Sequence, residues 1–346
     1  SRDFDKNISS LTNGGLIKIS QHRVFFEENR AVLRISMDKI NKNELSGLAG
    51  LQPSSDGKTT IIGECNAFWQ NALRHGEKMK IQWQRQSKGT QRLRIDFNIP
   101  YCFKSPFGLE LLIDLYRKNE SFFQSQIDVS AQYLINPQQN AAIFTQLQRT
   151  SLINESENKS FTHRLVGISH TSRIQLNPSD IQWVIKIAQG QRESYSLLSA
   201  SKRSLQKYAT DIDYTLHLKN LFSTFSFHYK EISKSATDIS EGIRLGGNQT
   251  IRGFQQESIY SKQSFILQTS MGWRSKDQSR FYLFSDIALI KTFENSLSQR
   301  YWSWGPGTSL YTPNGNILIN YGWGKYPNQP ILYKNGIFNL SYQVYF

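Results

Sequence analysis

The chain has 346 residues, a formal net charge of +14 and 13% aromatic side chains. That length suggests about two domains, and the aromatic content excludes a disordered chain, which needs few aromatics and a high charge fraction. No apolar run approaches about 18 residues, so a transmembrane helix is excluded as well. The positive balance is compatible with nucleic acid, lipopolysaccharide, anionic lipid or an acidic client. Lysines and arginines are scattered singly rather than in blocks, which argues against nucleic acid. Cys65 and Cys102 are too few for a disulfide framework or a zinc site, and are expected to be two buried free thiols. The chain opens on Ser1-Arg2-Asp3 without Met or an apolar signal core, which reads as a mature or trimmed fragment.

In chain order, residues 1–42 come first. Gly14–Ile19 and Arg30–Met37 read as two strands of a small unit, too short to bury a core alone. From residue 43 onward, apolar and polar residues alternate with period two. Leu93, Ile95, Phe97 and Ile99 alternate with Arg92, Arg94, Asp96 and Asn98. Ile181, Trp183, Ile185 and Ile187 form another such set, as do Ile317, Ile319, Tyr321 and Trp323. Sixteen segments of this kind are predicted, at about 44–52, 59–69, 77–86, 91–102, 108–118, 122–135, 140–150, 162–172, 180–191, 207–219, 223–233, 263–274, 280–291, 301–312, 316–325 and 336–346. The alternation is shallowest over 140–172.

The polar face sets the environment. Soluble sandwiches bury the apolar face and expose Lys and Glu; membrane barrels turn the apolar face to lipid and the polar face to a wet lumen. Here the apolar faces end in Trp, Tyr and Phe, as an aromatic girdle does. Sixteen strands of roughly 10 residues fit the span from 43 to 346 with alternating short and long connections. An even strand number closes the sheet and leaves no free edge. The expected fold is all-β, a sixteen-stranded antiparallel transmembrane β-barrel over 43–346.

One long connection interrupts the rhythm, at about 234–262. It contains Leu245-Gly246-Gly247-Asn248-Gln249-Thr250-Ile251-Arg252-Gly253-Phe254. Taken alone, Arg252 fits either an exposed turn or a buried site in the lumen, where its guanidinium would need a carboxylate. Asp286 meets that need if Leu283 and Ile287 face lipid, and a bidentate pair would then pin the connection to the wall. Gly246, Gly247 and Gly253 permit tight backbone paths beside that wall.

This stretch resembles the inward-folded sixth loop of the outer-membrane protein assembly superfamily, which includes BamA, TamA and the two-partner secretion transporters. Its signature is a Gly-Gly approach followed by (Val/Ile)-Arg-Gly-(Phe/Tyr). The strands after the loop agree. Phe284-Ser285-Asp286-Ile287-Ala288 is similar to the Phe-x-Asp-x-(Gly/Ala) motif, and Trp304-Gly305-Pro306-Gly307 with Tyr321-Gly322-Trp323-Gly324 is similar to a Gly-rich hairpin. Phe338, Leu340, Tyr342, Val344 and terminal Phe346 look like the C-terminal sorting signal of outer-membrane barrels. Asn98–Tyr101 and Ser105–Gly108 resemble the Bacteroidetes branch.

The resemblance implies the Arg252–Asp286 pairing and makes 1–42 the tail of a periplasmic POTRA-like domain. It also implies a lateral seam between first and last strands, where Gly47, Gly50 and Gly336 would weaken pairing. Client strands would add there by β-augmentation. The implied partners are unfolded outer-membrane or exported client proteins, outer-membrane lipid or lipopolysaccharide, and accessory subunits.

Enzyme chemistry finds no support. The chain lacks a Walker loop, a Gly-x-Ser-x-Gly elbow and a His-Glu-x-x-His pair. His22, His75, His163, His170, His217 and His228 are dispersed, and no metal site or cofactor is expected. Asp96, Asp114, Asp128, Asp211 and Asp213, with Arg92 and Arg94, read as a solvated lumen network rather than an acid–base pair. Two other functions share the strand pattern: a passive diffusion porin, which has no need of the Ile251–Phe254 motif, and a structural docking subunit of an outer-membrane complex.

Overall fold

The computed structural model describes residues 17–27, 30–39, 43–53, 59–87, 89–136, 138–153, 159–196, 199–275, 277–295, 297–312, 315–331 and 336–345. Two strands, β1 (Ile17–Glu27) and β2 (Arg30–Lys39), pair antiparallel as a separate two-stranded sheet with a bulge at Ile19/Gln21. Gly14–Leu16, expected to start the first of them, lies outside the described residues.

The rest is a closed barrel. Its strands are β3 (Glu44–Pro53), β4 (Thr59–Gln70), β5 (Lys78–Ser87), β6 (Thr90–Ile99), β7 (Phe107–Lys118), β8 (Phe122–Asn136), β9 (Gln139–Leu152) and β10 (Ser160–Leu176). They continue with β11 (Ser179–Tyr195), β12 (Ala200–Leu218), β13 (Leu221–Ile232), β15 (Ile259–Arg274), β16 (Arg280–Thr292), β17 (Gln299–Thr312), β18 (Gly315–Lys325) and β19 (Ile337–Tyr345). A short β14 (Ile243–Leu245) lies in the connection from β13 to β15 and pairs with β15. The wall therefore has sixteen strands, each antiparallel to its neighbours, and β19 returns to β3.

Most strand ends fall within two residues of the expected ones. The largest difference is β12, which starts at Ala200 rather than near 207. Its first turn of sequence, Ser201-Lys202-Arg203-Ser204, is polar and exposed on both faces, so period-two alternation gives no signal there. The strand continues because β11 supplies a full ladder, from Tyr195 opposite Ala200 to Ser179 opposite Leu216.

The barrel is inside out relative to a soluble protein. Ile143, Val166, Met271 and Leu283 are each more than 60% exposed and lie on the outer face. Inward positions carry Gln124, Gln132, Gln148, Asp114 and Asp286, all buried. Exposed here means exposed to lipid, which is where an apolar side chain belongs in a membrane barrel. Among the described residues no helix is long and apolar enough to cross a membrane. The two cysteines are unbridged, but Cys65 is exposed rather than buried. It pairs with Gly47 and Trp83 on the outward register of β4, so its thiol faces the lipid side.

Candidate functional site: the lumenal segment and the seam

The connection 233–258 turns into the barrel instead of standing above it, and its side chains meet wall strands far apart in sequence. The segment starts from a tight turn. Gly246 and Gly247 have φ of +113° and +89°, the left-handed region that glycine enters without a steric cost. A Cβ on Gly246 would lie 2.1 Å from the Gln255 carbonyl oxygen. Thr250 Oγ1 accepts from the Gly246 N–H at 2.7 Å and donates to its carbonyl at 2.9 Å. A single bridge from Gly247 to Ile251 closes the turn and aims Ile251–Phe254 at the wall.

Arg252 meets Asp286 there. Its Nη2 donates to Oδ1 at 2.5 Å, its Nε to Oδ2 at 3.0 Å, and its backbone N–H to Oδ2 at 2.8 Å. Nη1 donates to Ser270 Oγ at 2.8 Å and Nη2 to the Thr269 carbonyl at 3.0 Å. The guanidinium lies over the Phe284 ring, 4.2 Å from its centroid. Asp286 is fully buried, so β15 and β16 together saturate both charges. Such a fork–fork pair fixes geometry more than it adds stability, because desolvation offsets much of its attraction.

Neighbouring residues fit the same pocket. Ile251 and Phe254 enter an apolar cluster with Leu245, Ile266, Ala288, Ile290 and Tyr301. Phe254 meets Tyr301 and Tyr326 edge-on at 5.8 and 5.0 Å. Gly253, at φ +78°, presses against the inward glycines of β18: a Cβ on Gly324 would lie 2.5 Å from the Gly253 oxygen, and one on Gly322 2.9 Å from its Cα. The Gly-rich stretches of β17 and β18 thus form a side-chain-free groove for the turn.

Two further charge clusters engage the segment, through Glu241 and Glu257, neither of which the alternating sequence pattern marks. Glu241 is 4% exposed and accepts from Arg192 Nε and His163 Nε2, both at 2.7 Å. Its other oxygen accepts from Arg192 Nη2 at 2.9 Å and from the N–H groups of Thr237 and Asp238 at 3.1 Å. Burial opposes its ionisation, but the hydrogen bonds from His163 and Arg192 prevail and hold the carboxyl at about 2. Asp238 caps the short helical turn Ile239–Glu241 in a capping box, and that Asp-x-x-Glu spacing was the available signal.

The second cluster joins Glu257 to Arg92, which also binds Asp114 through Nη2 at 2.5 Å and Nε at 2.9 Å. Arg244 stacks on Tyr116 at 3.9 Å beside it. Asp114 is therefore buried in an ion pair and not part of a solvated network. The reason is the segment itself, which fills the space that alternation alone leaves to water. His217 and His228 do not meet; His228 bonds Asp211 at 2.7 Å, while His217 stands opposite Phe222. Beside these clusters a polar cavity of about 440 Å³ remains, lined in part by Gln82, Gln126, Gln146, Lys186 and Lys230.

At the seam, β19 and β3 pair over only four positions: Tyr342 with Gly47, Gln343 with Ser46, Val344 with Leu45, and Tyr345 with Glu44. Ile337–Ser341 and Leu48–Pro53 have no cross-seam pair in the described register, although β3 pairs with β4 along its whole length. Gly47 lies in the paired part. Gly50 lies in the unpaired part, opposite Ile62 of β4. Gly336 is not brought to either; it lies against the Tyr321 side chain of β18. Phe338, Leu340 and Tyr342 are exposed on the outer face, Val344 reaches the seam, and Phe346 lies outside the described residues.

A closed sixteen-stranded barrel with an apolar outer face and an arginine-anchored segment in its lumen is the architecture of an outer-membrane barrel. The chain belongs to the family of the haemolysin secretion/activation protein ShlB/FhaC/HecB, whose model matches residues 108–310. No curated protein matches it by sequence. Among solved structures it is similar to CdiB from Acinetobacter baumannii, with a TM-score of 0.66 at 12% identity over 97% of this chain and 67% of that one. CdiB from Escherichia coli gives a TM-score of 0.65 at 12% identity over 100% and 70%. BamA from Haemophilus ducreyi lacking POTRA domains 1–3 gives 0.58 at 10% identity over 99% and 77%.

Proposed function

We propose that the barrel inserts client proteins into the outer membrane, or passes them across it, by opening between β3 and β19 without ATP. The observation that carries this reading is the contrast between two parts of one wall. Arg252 holds the lumenal segment to the wall through six hydrogen bonds to Asp286, Ser270 and Thr269, while the seam is zipped at four positions. Opening the seam frees backbone groups of β3 and β19 to template an incoming strand. In this reading residues 1–42 are the end of a POTRA-like periplasmic domain, and the C-terminal sequence Phe338, Leu340, Tyr342, Val344 and Phe346 is the sorting signal. The partners are unfolded or exported client chains and the surrounding outer-membrane lipid, with accessory subunits. A porin is disfavoured by the segment that occupies the lumen. The test is depletion of the protein in its host, followed by quantification of outer-membrane barrels and exported proteins. Loss of many barrels marks a general assembly factor, and loss of one exported protein marks a dedicated transporter. Unchanged levels of all of them contradict the proposal.

A further inference from the structure

The three charge clusters of the lumenal segment fall at even intervals around the wall. Counting wall strands from β3, Arg92 and Asp114 stand on the fourth and fifth, His163 and Arg192 on the eighth and ninth, and Ser270 and Asp286 on the twelfth and thirteenth. Each step is four strands. One more step reaches the sixteenth and first, which is the seam. We infer that the segment is a three-point brace. Glu257, Glu241 and Arg252 each tie it by charge to one quarter of the barrel, so that wall movement is concentrated in the remaining quarter, at the seam. This rests on the proposed seam opening but assigns the positioning to Glu241 and Glu257.

The chemistry at the two new points supports a tie rather than a passive contact. Glu241 spends both carboxylate oxygens on two wall strands, through His163 on β10 and Arg192 on β11. Arg192 is itself held against Phe161 at 4.6 Å and reaches Thr237 at 3.1 Å. Arg92 joins Glu257 of the segment to Asp114 of β7. A buried charge that loses its partner is strongly penalised, so both ties resist separation. The seam, by contrast, is joined by a backbone ladder of four register pairs.

The test is amide hydrogen exchange on the full-length protein in lipid nanodiscs. Loss of a charged hydrogen bond changes a local opening equilibrium by roughly tenfold. Glu241→Gln is expected to speed exchange about that much in β10 and β11 and leave β6 and β7 unchanged, and Glu257→Gln is expected to do the reverse. In planar bilayers each variant should open more often than wild type. Arg192→Gln combined with Glu241→Gln should behave like the single variant, because the two residues form one tie. Acceleration spread evenly around the barrel, no acceleration, or unaltered channel opening overturns the inference. If a variant fails to fold, wild type decides: the slowest amides must lie in the three tied quarters and the fastest in β3 and β19, and uniform protection contradicts the brace. Client handling is not read in any of these measurements, so a barrel with no client role still tests the brace on its own.

Discussion

At the scale of single residues, the proposed function makes its sharpest demand on Arg252. Replacing it with Ala leaves Asp286 buried without a counter-charge, a change that costs about 3–5 kcal/mol for a desolvated pair. The sixteen-strand ladder does not depend on that pair, so Arg252→Ala is expected to fold, read by heat-modifiable mobility, and to lose at least about tenfold in client assembly. Normal assembly would remove the role given to the segment. Arg252→Lys keeps the charge but loses the fork that serves Asp286, Ser270 and Thr269 together, and should fall between the two. Glu241 carries a second residue-level expectation. Its folded carboxyl sits at about 2, below the ordinary 4.5. The stability it contributes is therefore fully present above about 4.5 and is lost as pH falls through about 2. Difference infrared spectroscopy against Glu241→Gln should show the carboxylate ionised at pH 4; protonation between pH 4 and 5 would contradict the assigned bonding.

At the scale of elements, the strands and the tight turn were largely legible and the lumen was not. Alternation located sixteen wall strands because each one separates lipid from lumen, and a one-residue slip would invert every side chain. It placed Asp286 inward from Leu283 and Ile287 alone, and those two are 65% and 45% exposed. It missed the first residues of β12, where both faces are polar. It also missed Glu241 and its partners, because no local pattern says that a capped turn in one connection will meet His163 and Arg192 on strands 49 or more residues earlier. Cys65 differs from expectation for a related reason: residue type predicts burial, whereas its register faces lipid. The glycines of β18 give an element-level test. Gly324→Val suits strand propensity, yet its side chain would enter the space of the Gly253 oxygen and the Phe254 ring. The barrel should close as before while the segment is displaced, giving the assembly defect of Arg252→Ala with Arg252 and Asp286 both intact. Wild-type assembly by Gly324→Val would show that the groove is not needed.

At the scale of the whole molecule, a barrel this size normally gains its stability from having no edges. This one keeps eight or more register pairs at each of fifteen junctions and four at the sixteenth, away from the three charged ties of the lumenal segment. In the proposed function such a wall concentrates its deformability at one place, where a client chain would pair with strand backbone. The most direct measurement is to lock that place. Gly47 and Tyr342 are register partners across the seam and both lie on the outer face, and antiparallel partners fall within the reach of a disulfide. Cys65 pairs with Gly47 from the other side, so Cys65 and Cys102 are first changed to Ser. Gly47→Cys with Tyr342→Cys should then stop client assembly or secretion when oxidised and restore it when reduced. Full activity with the disulfide formed would contradict lateral opening, and with it the central claim.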